Sequence, residues 1–316
     1  MTAGVLRVKA PCKVNLHLRI LEKRPDGFHN LESVFALLDF GDSLEVSLLP
    51  GASGALDLVM KPESRLSGAQ ALAALPAEQN LVYRAAALFR DYSGFAGNFS
   101  VKIGKFVPPG SGLGGGSSDA AAALLAFNSF AGNPLSREKL LDIGAKLGSD
   151  VPFFVSGEKT AWVSGRGEVF RPLFPSLSDY GVLLVFSDFQ SSTAAAYRLL
   201  DDSRTAAPAG APAGEAGAPE PDVLQAALGT HPSRWPFTND FSSVFLGNGG
   251  KEQERYTAVF DSLKNSGALF WGLSGSGSVC FGIYGSKTAA KRAKISMEKK
   301  FFMQITNFLA IRSQWQ

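Results

Sequence analysis

The chain of 316 residues has little cysteine, no apolar run long enough to span a membrane and no strong excess of either charge. Its two cysteines, Cys12 and Cys280, lie far apart without histidines at metal-ligand spacing, which predicts small buried residues in a reducing compartment. Residues 1–9 lack the apolar core of a signal peptide. The net charge of +3, with no basic run interleaved with aromatics, argues against nucleic-acid binding. These absences predict a cytoplasmic protein with neither a nucleic-acid nor a membrane partner.

Hydrophobic residues make up 45% of the chain, which is enough for sizeable cores, and the length suits one large or two ordinary domains. Strand-like and helix-like segments alternate without a regular parallel βα rhythm, so the predicted fold class is α+β. A boundary near residue 170 is expected to divide the chain into domains 1–170 and 171–316. Residues 205–221 are almost entirely Ala, Pro, Gly and Glu, a composition typical of a flexible surface insertion.

Local patterns place strands and helices along both halves. The expected strands include Val14–Ile20, Ser33–Leu38, Ser43–Leu48, Asn98–Ile103, Phe153–Val155, Thr160–Val163 and Tyr180–Ser187, and the expected helices include Asn80–Tyr92, Ser136–Leu147, Lys251–Asn265 and Lys287–Lys300.

A glycine-rich turn is the most informative feature of the chain. Five of the seven residues from Gly110 to Gly116 are glycine, and an alanine-rich helix former follows, with Ser117, Ser118 and Asp119 as capping or first-turn residues. Such a turn gathers amide N–H groups at the positive end of a helix dipole, which favours a phosphate. No Gly-Lys-Ser/Thr follows, which excludes a Walker loop, and a dinucleotide fold or a protein kinase would need elements that are absent downstream.

Three other clusters could carry chemistry. Lys13 and Asn15, two apart on a strand, project from one face and either present a cation and an amide to a substrate or lie on a solvated edge. Asp150 either caps a turn ahead of Pro152 or accepts a hydroxyl proton. The glycine turn at 272–278 either approaches a ligand or forms a flexible hairpin. An aspartate, a lysine and a phosphate cradle together are what phosphoryl transfer needs.

The sequence resembles the GHMP family of small-molecule kinases over nearly its whole length, apart from 205–221 and the last few residues. The resemblance rests on Ala-Pro-Cys-Lys-Val-Asn-Leu at 10–16, Arg-Pro-Asp-Gly-Phe-His at 24–29, the glycine loop at 108–119, Gly-Ser-Asp-Val-Pro-Phe-Phe at 148–154, Thr-Asn-Asp-Phe at 238–241 and the turn at 273–277. The second and fourth stretches are typical of members that phosphorylate a cytidine-diphosphate-linked methylerythritol.

The resemblance implies a two-domain α+β fold, monomeric or homodimeric, with the active site between the domains and with ATP and Mg²⁺ as cofactors. Asp150 would be the general base, Lys13 would stabilise charge on the transferring phosphoryl group, and Asn15 would contact the substrate. Phe28 and Tyr197 would sandwich a cytosine whose edge His29 would hydrogen-bond. The implied ATP-side residues are Asn80 and Lys105 near the adenine, and Pro108, Pro109, Gly110, Ser111, Gly112, Leu113, Gly114, Gly115, Gly116, Ser117 and Ser118 around the phosphates.

The resemblance leaves the metal ligands unassigned, and two alternatives to the cytidine-linked substrate stay in view. A family member acting on homoserine, mevalonate or a sugar would have no use for Phe28, His29 and Tyr197 as a base-binding set. A catalytically silent ligand sensor would have no need of both Lys13 and Asp150.

Overall fold

The computed structural model describes residues 4–63, 76, 79–187, 191–206, 221–298 and 300–309. Within these ranges the strands are β1 (Val5–Lys23), β2 (His29–Leu49), β3 (Leu56–Pro62), β4 (Asn98–Lys105), β5 (Thr160–Ser164), β6 (Val169–Pro172), β7 (Gly181–Phe186), β8 (Phe270–Leu273), β9 (Cys280–Tyr284) and β10 (Phe302–Asn307). The α-helices are α1 (Leu81–Ser93), α2 (Gly115–Phe130), α3 (Arg137–Leu147), α4 (Val151–Ser156), α5 (Thr193–Ala206), α6 (Pro221–Leu228), α7 (Asp240–Gly247), α8 (Gly250–Asn265) and α9 (Lys287–Met297).

The strands form two sheets. The first has six strands in the order β3-β4-β2-β5-β6, with β1 pairing antiparallel along β2, and the second has four in the order β10-β7-β9-β8. Among the strand pairs that the described residues form, only β3 and β4 are parallel. Because β1 and β2 are long, they reach segments of the C-terminal half: the backbone N–H of Leu18 donates to the carbonyl of Thr238, and the N–H of Leu309 donates to the carbonyl of Leu37.

Local signals explain where several helices begin. Asn80 caps α1 by accepting from the N–H of Val82, and Ser136 caps α3 by accepting from Lys139. The helix α2 begins instead behind Gly114, which has a φ of 72° and no capping side chain. Of the two alternatives predicted for Ser117, Ser118 and Asp119, the capping role is wrong and the first-turn position is confirmed, because these residues lie in the first turns of the helix behind Gly115.

Packing joins the two halves of the chain. One cluster of buried side chains lies between the first sheet and helices α1–α4. A second, which we call the shared core, contains Cys12, Val14 and Leu16 of β1 together with Val182 and Leu184 of β7. A third lies between the second sheet and the C-terminal helices. Since β1 contributes to the shared core, the strand that carries Lys13 is fixed from both sides.

The predicted class and most of the elements are confirmed, and one element is wrong. Phe153–Val155, expected as a strand, lies in the helix α4, which starts at Asp150 and has Pro152 in its first turn. A short, fully buried apolar run has no periodicity that separates helix from strand. The expected insertion at 205–221 lies outside the described residues except at its ends, and the boundary at 170/171 remains a prediction.

Among the described residues no helix is long and apolar enough to cross a membrane.

Candidate active site

The glycine turn forms a cradle of backbone in front of α2. Gly110, Gly112 and Gly114 have φ values of 63°, 75° and 72°, a region that residues with a side chain rarely adopt. The amides of the first helical turn have no partner within the helix, and they lie at the positive end of its dipole. This geometry suits an anion such as phosphate.

Ser118, the last residue that the resemblance places around the phosphates, has no free hydrogen-bond donor. Ser118 donates its amide N–H to the carbonyl of Gly114 and its hydroxyl to the carbonyl of Pro11, at 2.9 and 2.7 Å. Both polar groups of Ser118 are therefore committed within the protein.

The cradle is tied to β1 on one side and to the second glycine turn on the other. The N–H of Lys13 donates to the carbonyl of Leu113 at 2.9 Å, and the N–H of Val279 to that of Ser111 at 3.3 Å. The hydroxyl of Ser274 donates to the carbonyl of Gly112 at 2.8 Å. For the turn at 272–278, the sequence allowed either a ligand contact or a flexible hairpin. In the structure this turn supports the phosphate loop.

Replacing Gly112 with alanine should therefore destabilise the protein strongly. The new Cβ would lie 1.9 Å from the carbonyl oxygen of Ser274, in addition to the strain of a positive φ. We expect a loss of about 2–5 kcal/mol in the free energy of unfolding, from overpacking and backbone strain together. Denaturant titration measures this loss.

The matched control is Gly110→Ala, because Gly110 has a similar φ but its added Cβ would lie 3.8 Å from the carbonyl oxygen of Ser191, an ordinary contact distance. That variant should lose only about 1–2 kcal/mol. Equal losses in the two variants would contradict the close approach of the two turns.

Lys13 and Asn15 lie on one face of β1, as predicted, and both are buried. The ammonium of Lys13 donates to Oδ1 of Asn15 at 2.6 Å and lies 3.6 Å from Oδ2 of Asp150. The amide of Asn15 in turn donates to the hydroxyl of Ser33 at 2.9 Å. Burial lowers the pKa of Lys13, and the carboxylate of Asp150 opposes that shift. The pair is thus a positioned cation beside a carboxylate, and the solvated-edge alternative for β1 is wrong.

Asp150 stands at the start of α4 without capping it, so its side chain is left for other partners. A Cβ placed on Gly114 would lie 3.3 Å from Cε of Lys13, which brings the Lys13–Asp150 pair against the phosphate loop. On its other side, a Cβ on Gly167 would lie 3.6 Å from Oδ1 of Asp150. The side chain of Asp150 remains 27% exposed, so a substrate hydroxyl can reach it.

Aromatic residues flank this carboxylate. Phe28 is 57% exposed, and the guanidinium of Arg166, next to Gly167, lies 5.3 Å from the centre of its ring. Tyr197 of α5 stacks on the ring of His29, with centroids 5.2 Å apart. Burial and the nearby charge of Asp150 raise the pKa of Tyr197 to about 12, which keeps its hydroxyl neutral. Tyr197 therefore lies near Asp150 with His29 stacked on its ring, and Phe28 contacts Arg166, the neighbour of the glycine that lies next to Asp150.

Lys105 is bonded to two buried carboxylates. Its ammonium contacts carboxylate oxygens of Asp42 at 2.5 Å and of Asp119 at 2.6 Å, and all three side chains are buried. The backbone N–H groups of Phe106 and Val107 also donate to Asp42. Burial raises the pKa of Asp119, Lys105 opposes this and Asp42 adds to it. We call these three residues the ion cluster. It lies under the phosphate loop, since a Cβ on Gly115 would lie 3.5 Å from Asp42.

Asn80, the other residue predicted on the adenine side, lies next to the loop. It caps α1, whose first residue Leu81 would come within 4.0 Å of a Cβ on Gly116.

Several residues of the site escaped the sequence reasoning. Ser33, Ser274 and Arg166 act through contacts between distant segments, so no local spacing points to them. Asp201 is different: it follows Tyr197 by four residues, which places both on one face of a helix. That signal was missed because α5 was not predicted.

Comparisons with known proteins agree with this geometry. Residues 80–158 match the family described as GHMP kinases N terminal domain, and residues 239–302 match GHMP kinases C terminal. A 4-diphosphocytidyl-2-C-methyl-D-erythritol kinase of Salinispora tropica is 38% identical over 234 residues, which is 72% of this chain and 71% of that protein. The corresponding kinase of Methylococcus capsulatus is 41% identical over 204 residues, and the match spans 65% of each chain.

A crystal structure of 4-(cytidine 5'-diphospho)-2C-methyl-D-erythritol kinase superposes with a TM-score of 0.74 at 26% identity, covering 96% of this chain and 100% of the other. The chain therefore belongs to the GHMP kinases, and within them to the family of 4-diphosphocytidyl-2-C-methyl-D-erythritol kinases. The resemblance drawn from the sequence and the two-part α+β fold are both confirmed.

Proposed function

We propose that this chain transfers the γ-phosphoryl group of ATP to the 2-hydroxyl of 4-diphosphocytidyl-2-C-methyl-D-erythritol, giving the 2-phosphate and ADP, in the non-mevalonate route to isoprenoid precursors. The observation that carries the proposal is the placement of Asp150 and Lys13, 3.6 Å apart, against the glycine cradle. The names of the relatives supply the substrate.

Each group near the cradle has a task in this reaction. Asp150 would accept the proton of the attacking hydroxyl, which makes the oxygen a better nucleophile. Lys13 would offset charge on the transferring phosphoryl group and hold Asp150 in place. Asn15, fixed by Ser33 and Lys13, would orient the alcohol. The backbone from Gly110 to Ser117 would hold the triphosphate in line, with Pro108 and Pro109 leading into the cradle.

Magnesium is part of the proposal as the ion that accompanies ATP, where it would neutralise phosphate charge. Among the residues that the structure describes, no three His, Cys, Asp or Glu side chains cluster to hold a metal ion. We assign no protein ligand to it, and the hydroxyl of Ser118 is already bonded to Pro11. We place the reaction in the cytoplasm, because both cysteines are buried free thiols.

The direct test is ADP release with Mg-ATP in the presence of different alcohols. Turnover with the cytidine-linked methylerythritol, and not with free methylerythritol, mevalonate, homoserine or galactose, is the expected result. Turnover with another alcohol alone would keep the phosphoryl-transfer site and overturn the substrate. ATP binding without turnover of any alcohol would point to a ligand sensor.

Phe28 offers a test of base binding with little risk to folding, because its ring is largely exposed. We expect Phe28→Ala to raise KM for the cytidine-linked substrate roughly 5- to 150-fold, since a lost base stack costs about 1–3 kcal/mol. The KM for ATP should stay unchanged. Phe174→Ala is the matched control, because Phe174 is 79% exposed and lies outside the site. Equal effects of the two variants would remove Phe28 from the substrate site.

A further inference from the structure

Asp201 of α5 connects His29, one of the residues proposed to bind the base, with Lys23 at the end of β1. Its Oδ1 lies 2.8 Å from Nε2 of His29, and its Oδ2 accepts from the ammonium of Lys23 at 2.6 Å. Lys23 and His29 are partners across β1 and β2, so one carboxylate from α5 bonds both members of a cross-strand pair. Tyr197, one turn earlier on α5, stacks on the same imidazole. The helix therefore holds His29 by its face and by one nitrogen.

This contact decides which nitrogen of His29 carries the proton. A carboxylate only accepts hydrogen bonds, and the bond from Lys23 lowers the pKa of Asp201, with His29 adding to that shift against burial. Because Asp201 is ionised, Nε2 must be the N–H that donates to it. In the neutral ring, Nδ1 is then left as an acceptor.

His29 and Asp201 also line a cavity of about 1160 Å³ between β1, α5 and α7. The imidazole is only 5% exposed, so it can contact a ligand only over a small part of its surface. The edge of the ring that carries Nδ1 is not the one bonded to Asp201, so with this tautomer it can accept a hydrogen bond from a ligand and cannot donate one.

We propose that Asp201 is a specificity-determining residue, which holds His29 as an Nδ1 acceptor so that the site selects a base with an amino group at the contacted position over one with a carbonyl. The proposal rests on the proposed function and deepens it: the amino group is that of cytosine, and the excluded base is uracil. Asp201 acts through His29 and is a positioning residue.

The test compares cytidine- and uridine-diphosphate-linked methylerythritol as substrates of the full-length protein. Wild type should prefer the cytidine form, and Asp201→Ala should lower that ratio of kcat/KM roughly tenfold, the factor that one hydrogen bond supplies. Asp201→Asn keeps an acceptor oxygen and should retain most of the preference. Asp261→Asn, at an exposed position of α8 that does not line this cavity, is the matched control and should change nothing.

Nitrogen-15 NMR of labelled histidine reads the tautomer without any substrate. The chain has three histidines, and His17 is a reference because its Nδ1 accepts from the N–H of Thr238, which leaves the proton on Nε2. Wild-type His29 should show the same pattern as His17, and Asp201→Ala should show a mixture of tautomers.

The outcomes separate the two proposals. A wild-type protein inactive on the cytidine-linked alcohol would overturn the proposed function and the selection of base with it. An active wild type beside an Asp201→Ala variant with unchanged selectivity and an unchanged His29 spectrum would overturn the role of Asp201 alone.

Discussion

Replacing Asp150 with asparagine should lower kcat by a factor of about 10²–10⁴, the contribution expected of a general base. The amide has nearly the shape of the carboxylate, but it cannot take up the hydroxyl proton. Lys13 also loses the carboxylate that opposes the effect of burial on its charge. Because the side chain of Asp150 pairs with Lys13 and not with the backbone of the phosphate cradle, ATP should still bind. Steady-state kinetics with calorimetric titration of ATP measures both effects.

Asp142→Asn is the matched control for this experiment. Asp142 lies on the neighbouring helix α3, its side chain is 64% exposed, and it makes only a 4.0 Å pair with Lys139. Its loss should leave kcat within a factor of two of wild type, by the small worth of exposed ion pairs. Full activity of Asp150→Asn would remove Asp150 as the base, and a loss of ATP binding in parallel would indicate a structural role instead.

The largest expected effect on stability comes from the ion cluster. Lys105→Met keeps the length of the side chain but leaves the carboxylates of Asp42 and Asp119 buried beside each other without a cation. Removing one partner of a buried ion pair costs about 3–5 kcal/mol, and we expect a loss of that size in the free energy of unfolding. Chemical denaturation of both proteins at neutral pH measures it.

The loss should shrink as the pH falls. Burial and Asp42 raise the pKa of Asp119 and Lys105 opposes that shift, so Lys105→Met should raise this pKa further and let the folded variant take up a proton on Asp119 at a higher pH than wild type. A group with a raised pKa in the folded state stabilises that state at lower pH.

Two further variants serve as controls. Adding Asp119→Asn to Lys105→Met should recover part of the stability, and Lys139→Met, at an exposed position, should change it little. A loss that does not depend on pH would contradict the electrostatic explanation.

The sequence predicted the chemistry of the site better than its connections. Glycines at 110, 112 and 114 needed positive φ, and the same-face spacing of Lys13 and Asn15 follows from strand geometry alone. Both features depend only on residues that are neighbours along the chain, so a single sequence is enough to predict them. The roles of Asp150, His29 and Tyr197 needed the family resemblance, because their partners lie far away along the chain.

Two features that the sequence did not predict have the same physical origin. Phe153–Val155 is helical because Asp150 and Pro152 start a helix in a segment buried on all sides, where hydrophobicity has no period to read. The ion cluster around Lys105 has no local signal because Asp42 and Asp119 come from other elements, and the adenine-side position of Lys105 stays a prediction. In each case the long-range packing decided the outcome.

The shared core limits how this fold can be rearranged in evolution. Val14 and Leu16 of β1 pack with Val182 and Leu184 of β7, while Lys13 and Asn15 of the same strand face the site. Genetic recombination near residue 170 would replace the second sheet and keep β1, the strand of the first half that packs against it. We therefore expect new substrate preferences to arise more readily from single changes at the residues proposed to bind the base, at Phe28 or along α5, than from the exchange of whole halves.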